Sequence, residues 1–196
     1  KVKRNMISDK LKRKETGIVK KQDLLENQVN KIVYLSIGTN LGNKLANLEK
    51  TKYLIFSDKI KIDKISKIYK SPSWPDRNLP FYLNIVLKIQ TSLNPYELLK
   101  RLNLIETKMG RKRKHKNEPR ICDIDILDYD KMIINQRKHE QKLILPHPLM
   151  HKRAFILIPL FDIEKNWFHP KKKVNIDDLF KDLTIKNINS IKELRN

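Results

Sequence analysis

At 196 residues, 39% hydrophobic and 33% charged, the chain suits one domain with room for a tail, and apolar residues recur often enough to build a core. It has no apolar run near the roughly 18 residues of a membrane span, no apolar h-region at its start, and one cysteine, Cys122, which excludes an internal disulfide framework or an all-cysteine zinc site and fits a reducing, cytoplasmic compartment. The formal charge of +21 would attract polyanions, but the lysines are spread along the chain among Ile and Asn, as an AT-rich coding sequence produces, so local clusters carry more weight than the total.

Residues 1–30 are dominated by Lys and Arg between Lys1 and Lys21 and are expected to form a flexible basic extension, with only a weak helical pattern at Val19, Leu24, Leu25 and Val29. Residues 31–196 are expected to form the single folded domain. Ile32–Ile37 reads as a buried strand that ends at Gly38-Thr39-Asn40-Leu41-Gly42, and a helix follows with Leu45, Leu48, Lys52 and Ile55 on one face. Ile60–Lys70 is a second extended stretch. The loop Ser71–Pro80 holds Pro72, Pro75 and Pro80, which forbid helix.

The next segment alternates with period two. Phe81, Leu83, Ile85, Leu87 and Ile89 take one face; Tyr82, Asn84, Val86 and Lys88 take the other. Asn94-Pro95-Tyr96-Glu97 opens a helix with an N-cap Asn, Pro at the first position and Glu at the third. Leu98, Leu99, Leu102, Ile105 and Met109 give that helix its apolar face, and Gly110 stops it. A basic loop leads into a fourth strand, Ile121–Leu127. The order β-α-β-β-α-β predicts an α+β, ferredoxin-like antiparallel sheet with helices on one face. Residues 143–163 and 174–194 are expected to form a C-terminal strand-and-helix appendage.

Asp123 and Asp125 carry the strongest chemical signal. Two apart on a strand, they share a face, while Cys122, Ile124 and Ile126 take the other. Close carboxylates repel unless a cation sits between them, and oxygen-only ligands on a strand suit Mg²⁺, which draws its remaining ligands from water and phosphate. The loop Gly110–Arg120 places cations directly before this pair, and Arg111 and Arg120 have the fork geometry for phosphate oxygens. Metal-binding acids beside phosphate-clamping arginines are the parts that phosphoryl transfer needs. Asn84 and Tyr82 on a polar strand face suit a flat heterocycle with an amide-like edge, on which Phe155 and Trp74 could stack. In Leu145-Pro146-His147-Pro148, followed by Arg153-Ala154-Phe155, a rigid turn presents a His and an Arg fit for a phosphate or ring contact.

In order along the chain, Ile37–Gly42, Tyr69-Lys70-Ser71-Pro72, Phe81-Tyr82-Leu83-Asn84, Ile105-Glu106 with Gly110-Arg111, Pro119–Leu127, and Pro146-His147-Pro148 with Arg153 and Phe155 form one set. From about Ile32 to Ile163 the chain resembles the hydroxymethyl-dihydropterin pyrophosphokinases. The resemblance implies transfer of the β,γ-diphosphate of ATP to the hydroxymethyl group of 6-hydroxymethyl-7,8-dihydropterin, releasing AMP. It implies that Asp123 and Asp125 hold two Mg²⁺ ions, with Arg111, Arg120, Asp123 and Asp125 as the catalytic set. Glu106, Arg111, Lys114, Arg120, His147 and Arg153 would surround ATP. Ser71, Pro72, Trp74, Tyr82, Asn84, Asp123 and Phe155 would form the pterin pocket. In some organisms this activity is fused to neighbouring folate enzymes, so another folate-pathway enzyme is a candidate partner.

The chain departs from the family pattern in its basic loop. Asn117-Glu118 stands where the family often has Trp-Gly, and the loop is one residue shorter, which is expected to weaken pterin closure without loss of the reaction. Ser71 replaces a Thr and keeps its hydroxyl. The alternative from another class is an RNA-binding ferredoxin-like module, suggested by the same fold and charge. Asp123 and Asp125 on the central strand would repel a phosphate backbone and argue against it.

Overall fold

The computed structural model describes residues 30–57, 59–73, 76–111, 118–138 and 141–195. Of the basic extension expected over residues 1–30, only Asn30 falls among them. Lys31–Asn196 forms one compact unit. Its centre is β1 (Lys31–Thr39), buried from Val33 to Thr39. β1 pairs antiparallel with β4 (Tyr82–Thr91) on one side and with β5 (Asp123–Tyr129) on the other. β2 (Ile60–Ile65) and β3 (Tyr69–Ser71) both pair with β4, and β10 (Lys192–Glu193) lies beside β3 at the sheet's edge. The stretch expected as one strand over Ile60–Lys70 is therefore two. Between them the backbone N–H of Ser66 donates to the Val86 carbonyl at 2.9 Å, while its hydroxyl, in place of a ladder carbonyl, accepts from the Val86 N–H at 2.9 Å.

Two helices cover one face of this sheet. α1 (Lys44–Ile55) starts at Asn43, whose side chain accepts from the Ala46 N–H, and buries Leu48, Thr51 and Ile55. Leu45, expected on that face, is exposed, and Thr51 takes a buried place because its hydroxyl is satisfied by the Asn47 carbonyl at 2.7 Å. α2 (Pro95–Lys108) opens with the expected capping box: Asn94 accepts from the Tyr96 and Glu97 N–H groups, and Glu97 accepts from the Asn94 N–H. It ends before Gly110, whose φ of 89° is cheap only for glycine. Leu98, Leu102, Ile105 and Met109 join the first core with Val33, Leu35 and Ile37 of β1, Ile85, Leu87 and Ile89 of β4, and Ile124 of β5.

The opposite face is also covered, so the expectation of helices on one side only is wrong. α3 (Ala154–Ile163) and α4 (Ile176–Lys181) pack over Tyr34, Val86 and Leu127 with Ile156, Leu157, Leu160, Trp167 and Leu179 in a second core. The C-terminal segment is a structural layer and not an appendage. A strand centre buried on both faces needs apolar residues at successive positions, and Val86 beside Ile85 and Leu87 meets that need. The hairpin of β6 (Ile134–Lys138) and β7 (Gln141–Leu145) forms its own two-stranded sheet and lends Leu143 and Leu145 to the first core. β8 (Phe168–His169) pairs with β9 (Val174–Asn175), and the short α5 (Ile185–Asn189) precedes β10. Among the described residues no helix is long and apolar enough to cross a membrane.

If α3 is a true layer, replacing the fully buried Leu160 by Ala should cost about 2–5 kcal/mol of the whole unit's stability. Urea unfolding checks this: a lowered midpoint for the main transition is expected, and an unchanged main transition would mean that α3 unfolds by itself.

Candidate active site

The alternation that fills the two cores also brings the site residues together. At one end of the sheet, Tyr69 of β3, Asn84 of β4, Gly38 of β1 and Asp123 of β5 pair in one row across four strands. Two residues outward, and so on the same face, Ser71 pairs with Tyr82, and two residues inward Asp125 lies opposite Ser36. Asp123 and Asp125 do share a face, the α3 side, while Cys122, Ile124 and Ile126 are buried in the first core as expected. Gly38 supplies the missing side chain in the middle of the row. A Cβ there would stand 3.3 Å from Asn84 Oδ1 and 3.5 Å from the Tyr82 ring.

Asn84 is 3% exposed, and its Nδ2 donates to Ser71 Oγ at 2.9 Å and to the Tyr69 carbonyl at 3.3 Å. The carbonyl can only accept, which fixes the amide's orientation and leaves Oδ1 over Gly38. On the other side of Gly38, charges alternate. Arg111 Nη1 bridges Glu106 Oε1 and Asp123 Oδ1, the latter at 2.7 Å, and Arg120 Nη1 holds Asp123 Oδ2 at 3.1 Å. Glu106 is nearly buried and also accepts the Ile124 N–H at 2.8 Å, so it fixes both Arg111 and the backbone between the two aspartates. That places it behind Arg111 in a supporting position. Burial works to lower the Arg120 pKa; Asp123, the hydrogen-bonded Tyr82 hydroxyl and Asp125 more than offset it, so the guanidinium stays charged. Its buried Nε has no hydrogen-bond partner among the described residues.

Asp125 is the carboxylate left over from this chain of charges. Burial, then the charge of Asp123, pushes its pKa up to about 6, against the pull of Arg153. Its side chain keeps 39% exposure, so water still reaches the ionised form. His147 Nε2 lies 3.9 Å from Asp125 Oδ2. Burial, then Arg153, pulls the His147 pKa down to about 4, so the ring is neutral near pH 7. Its Nδ1 accepts the Leu149 N–H at 3.2 Å, which puts the ring proton on Nε2, facing the site. Arg153, the N-cap residue of α3, has its guanidinium 5.6 Å from the centre of the Phe155 ring. Pro72 follows Ser71 at the site's edge. Trp74, Lys114 and Asn117 lie outside the described residues, so the expected ring stack, phosphate contact and altered lid are not described.

Asn40, in the turn after β1, is a further site-building residue that no local motif marks. It is 1% exposed, and its Oδ1 accepts the Arg120 N–H at 2.7 Å while Nδ2 donates to the Pro80 carbonyl at 3.2 Å and Ser73 Oγ at 3.3 Å. One amide thus joins the Arg120 segment to the proline-rich loop. A turn asparagine beside glycines is its only sequence mark, and the partners lie 80 and 40 residues away.

Two strand-borne carboxylates set among arginines are parts that phosphoryl-transferring sites use. Residues 34–165 match the family model of 7,8-dihydro-6-hydroxymethylpterin-pyrophosphokinase (HPPK). The chain is 40% identical over 138 residues to the pyrophosphokinase of Aquifex aeolicus, covering 70% of this chain and 83% of that protein. It is 35% identical over 136 residues to that of Bacillus subtilis, with coverages of 69% and 79%. A folic acid synthesis protein of Pneumocystis carinii is 36% identical over 167 residues, 85% of this chain, which spans only 22% of that longer protein. Among solved structures, an HPPK-DHPS of Plasmodium falciparum superimposes with a TM-score of 0.65 at 16% identity, covering 86% of this chain and 48% of that one. The chain belongs to the HPPK family of ATP-dependent diphosphotransferases of folate synthesis. The RNA-binding alternative finds no support among these relatives.

Asn40→Ala should lose about 1–3 kcal/mol, because it strands the buried Arg120 N–H, without disturbing either core. Urea unfolding and unchanged near-ultraviolet circular dichroism together check it; stability equal to the parent protein would show that the amide holds nothing.

Proposed function

We propose that the chain transfers the β,γ-diphosphate of ATP to the hydroxymethyl oxygen of 6-hydroxymethyl-7,8-dihydropterin on a ferredoxin-like core. The pterin oxygen attacks the β-phosphorus, the bond from that phosphorus to the α,β-bridging oxygen breaks, AMP leaves, and the hydroxyl proton is lost to solvent. The observation that carries the reading is the row Asn84–Gly38–Asp123, which sets an amide edge and a carboxylate on either side of a glycine gap. Asn84 Oδ1 accepts from the amino edge of the pterin, and the Gly38 gap admits the flat ring. Ser71, Pro72, Tyr82 and Phe155 bound the pocket, with Trp74.

The donor set fits Mg²⁺: two carboxylates two apart on one strand face, set beside arginines that suit phosphate oxygens. Two Mg²⁺ ions held by Asp123 and Asp125 would neutralise phosphate charge and align the β-phosphorus with the attacking oxygen. Arg111 and Arg120 would then be free to turn from Asp123 toward phosphate oxygens. His147 Nε2–H and Arg153 hold the rest of the triphosphate, together with Lys114. No covalent intermediate is required, since positioning and charge neutralisation supply the rate. A cytoplasmic setting and a second folate-pathway enzyme as partner belong to the same proposal; some relatives carry the two-part name HPPK-DHPS.

Nucleotide analysis after mixing the chain with Mg-ATP and the pterin tests this. Pterin-dependent AMP is expected, and Asp123→Ala or Asp125→Ala should reduce it by about a hundredfold or more; ADP in place of AMP would overturn the diphosphate transfer. Gly38→Ala should weaken pterin binding and leave nucleotide binding near its parent value, read by titration calorimetry.

The pH dependence has a definite sign. With its pKa raised, Asp125 carries a proton below about pH 6 that a cation must displace. Binding of Mg-nucleotide should therefore weaken as pH falls through 6 and release a proton there but not at pH 8. His147, at about 4, stays neutral throughout and adds nothing. Calorimetry in buffers of differing ionisation enthalpy measures the released proton.

A further inference from the structure

Asp128 lies three residues beyond Asp125 and is 1% exposed. Strict alternation would turn it into the first core, beside Ile124 and Ile126. It does not go there because the register of β5 against β1 slips: Leu35 pairs with Ile126, but Tyr34 pairs with Asp128, leaving Leu127 as an extra, bulged residue. Leu127 and Asp128 therefore both turn toward α3, and Tyr129 returns to the first core.

At that place Asp128 Oδ2 accepts the indole N–H of Trp167 at 2.9 Å, and Oδ1 accepts the Lys131 N–H at 3.0 Å. Trp167 is 3% exposed within the second core. The bulge also turns the Leu127 carbonyl outward, where it accepts the His147 N–H at 2.8 Å. His147 in turn faces Asp125. A continuous path thus runs from Trp167 through Asp128 and the bulge to the backbone of His147. Trp167 and Asp128 stand behind the bulge, and Leu127 meets the site at the backbone of His147.

We propose that the Trp167–Asp128 hydrogen bond is a remote brace that positions His147 over Asp125, so that it sets the strength of nucleotide binding and leaves the pterin pocket alone. A buried carboxylate is a costly way to fill a core, and an apolar residue would pack there without a desolvation penalty. What the carboxylate adds is direction. One acceptor fixed to an indole on one side and a turn on the other adds a directional constraint to the apolar packing that sets the register, and so holds the bulge at Leu127. On the pterin side Asn84, Ser71 and Tyr69 lie off β5, and Asp123, which is on β5, is held separately by Arg111 and Arg120. This assignment of His147 to the nucleotide rests on the proposed function.

The test compares Trp167→Phe, Asp128→Leu, their double variant and Asp128→Asn. Three quantities are measured: the affinity for Mg²⁺ with α,β-methylene-ATP, the affinity for 6-hydroxymethylpterin, and the urea midpoint. The His147 ring proton chemical shifts are followed in the ligand-free protein. Trp167→Phe should weaken the nucleotide analogue about tenfold, as loss of an outer-shell support does, and leave the pterin within about twofold. The double variant strands neither the indole nor the carboxylate, and the Lys131 N–H it frees lies on an exposed residue, so its urea midpoint should recover, while the analogue stays weak and the His147 shifts stay displaced. Asp128→Asn keeps a carbonyl for the indole but turns its NH2 toward the exposed Lys131 N–H, so its analogue affinity should fall less than that of Asp128→Leu, a comparison that serves where Trp167→Phe folds poorly. Affinity that recovers together with the midpoint would reduce the pair to a stability element and overturn the brace. Unchanged His147 shifts in Trp167→Phe would overturn it as well, whether or not the parent protein binds nucleotide. A parent protein that fails to bind the analogue would instead sink the functional reading.

Discussion

β1 and β4 have to bury both of their faces, and everything else in the unit follows from how that is done. Odd residues of β1 and β4 fill one core under α1 and α2, and even residues fill a second core under α3. The second core stops short of the sheet's end. There the same phase of alternation presents Asn84, Gly38 and Asp123 in a row, with Ser71 and Asp125 beside it. A slip of one residue in the β1–β5 ladder would send Asp123 into the first core and Ile124 into the site, and a slip in the β1–β4 ladder would do the same to Asn84 and Ile85. The burial that stabilises the fold and the register that builds the site are therefore one constraint.

Charge is balanced within the site by its own side chains. Glu106, Arg111, Asp123 and Arg120 form an alternating chain in which each carboxylate meets a guanidinium. Such partly buried pairs are held at a desolvation cost that ligand binding can use: a cation for the carboxylates frees the arginines for phosphate. Asp125 stands outside the chain, and burial together with Asp123 raises its pKa. The neutral His147 beside it adds no positive charge and presents an N–H donor instead.

The C-terminal segment shows why one architectural expectation went astray. Ala154–Ile163 is apolar nearly all round, the mark of an element buried on more than one side. The alternation of β4, with polar Tyr82, Asn84 and Lys88 around Val86, suggested a solvated second face. In the structure Lys88 is half-buried and paired with Glu164, which also accepts from Tyr34 Oη, so the polar residues on that face seal the margin of a core. The segment also brings His147 and Arg153 close to Asp125, while Phe155 packs against the second core.

Local chemistry in the sequence determined a good deal. The capping box at Asn94–Glu97, the stop at Gly110, the alternation of β4 and the shared face of Asp123 and Asp125 all depend on neighbours a few residues apart, and each appears in the structure as expected. The ordered motifs fixed the family because they are read in one dimension. Only the tertiary structure decided that α3 covers the second face, that Glu106 stands behind Arg111, that Asn40 joins two loops and that the register slips at Leu127. These rest on partners tens of residues distant, whose distances depend on strand register and on which side of the sheet a helix lands. Periodicity reports that a face must be buried; it does not say what will bury it.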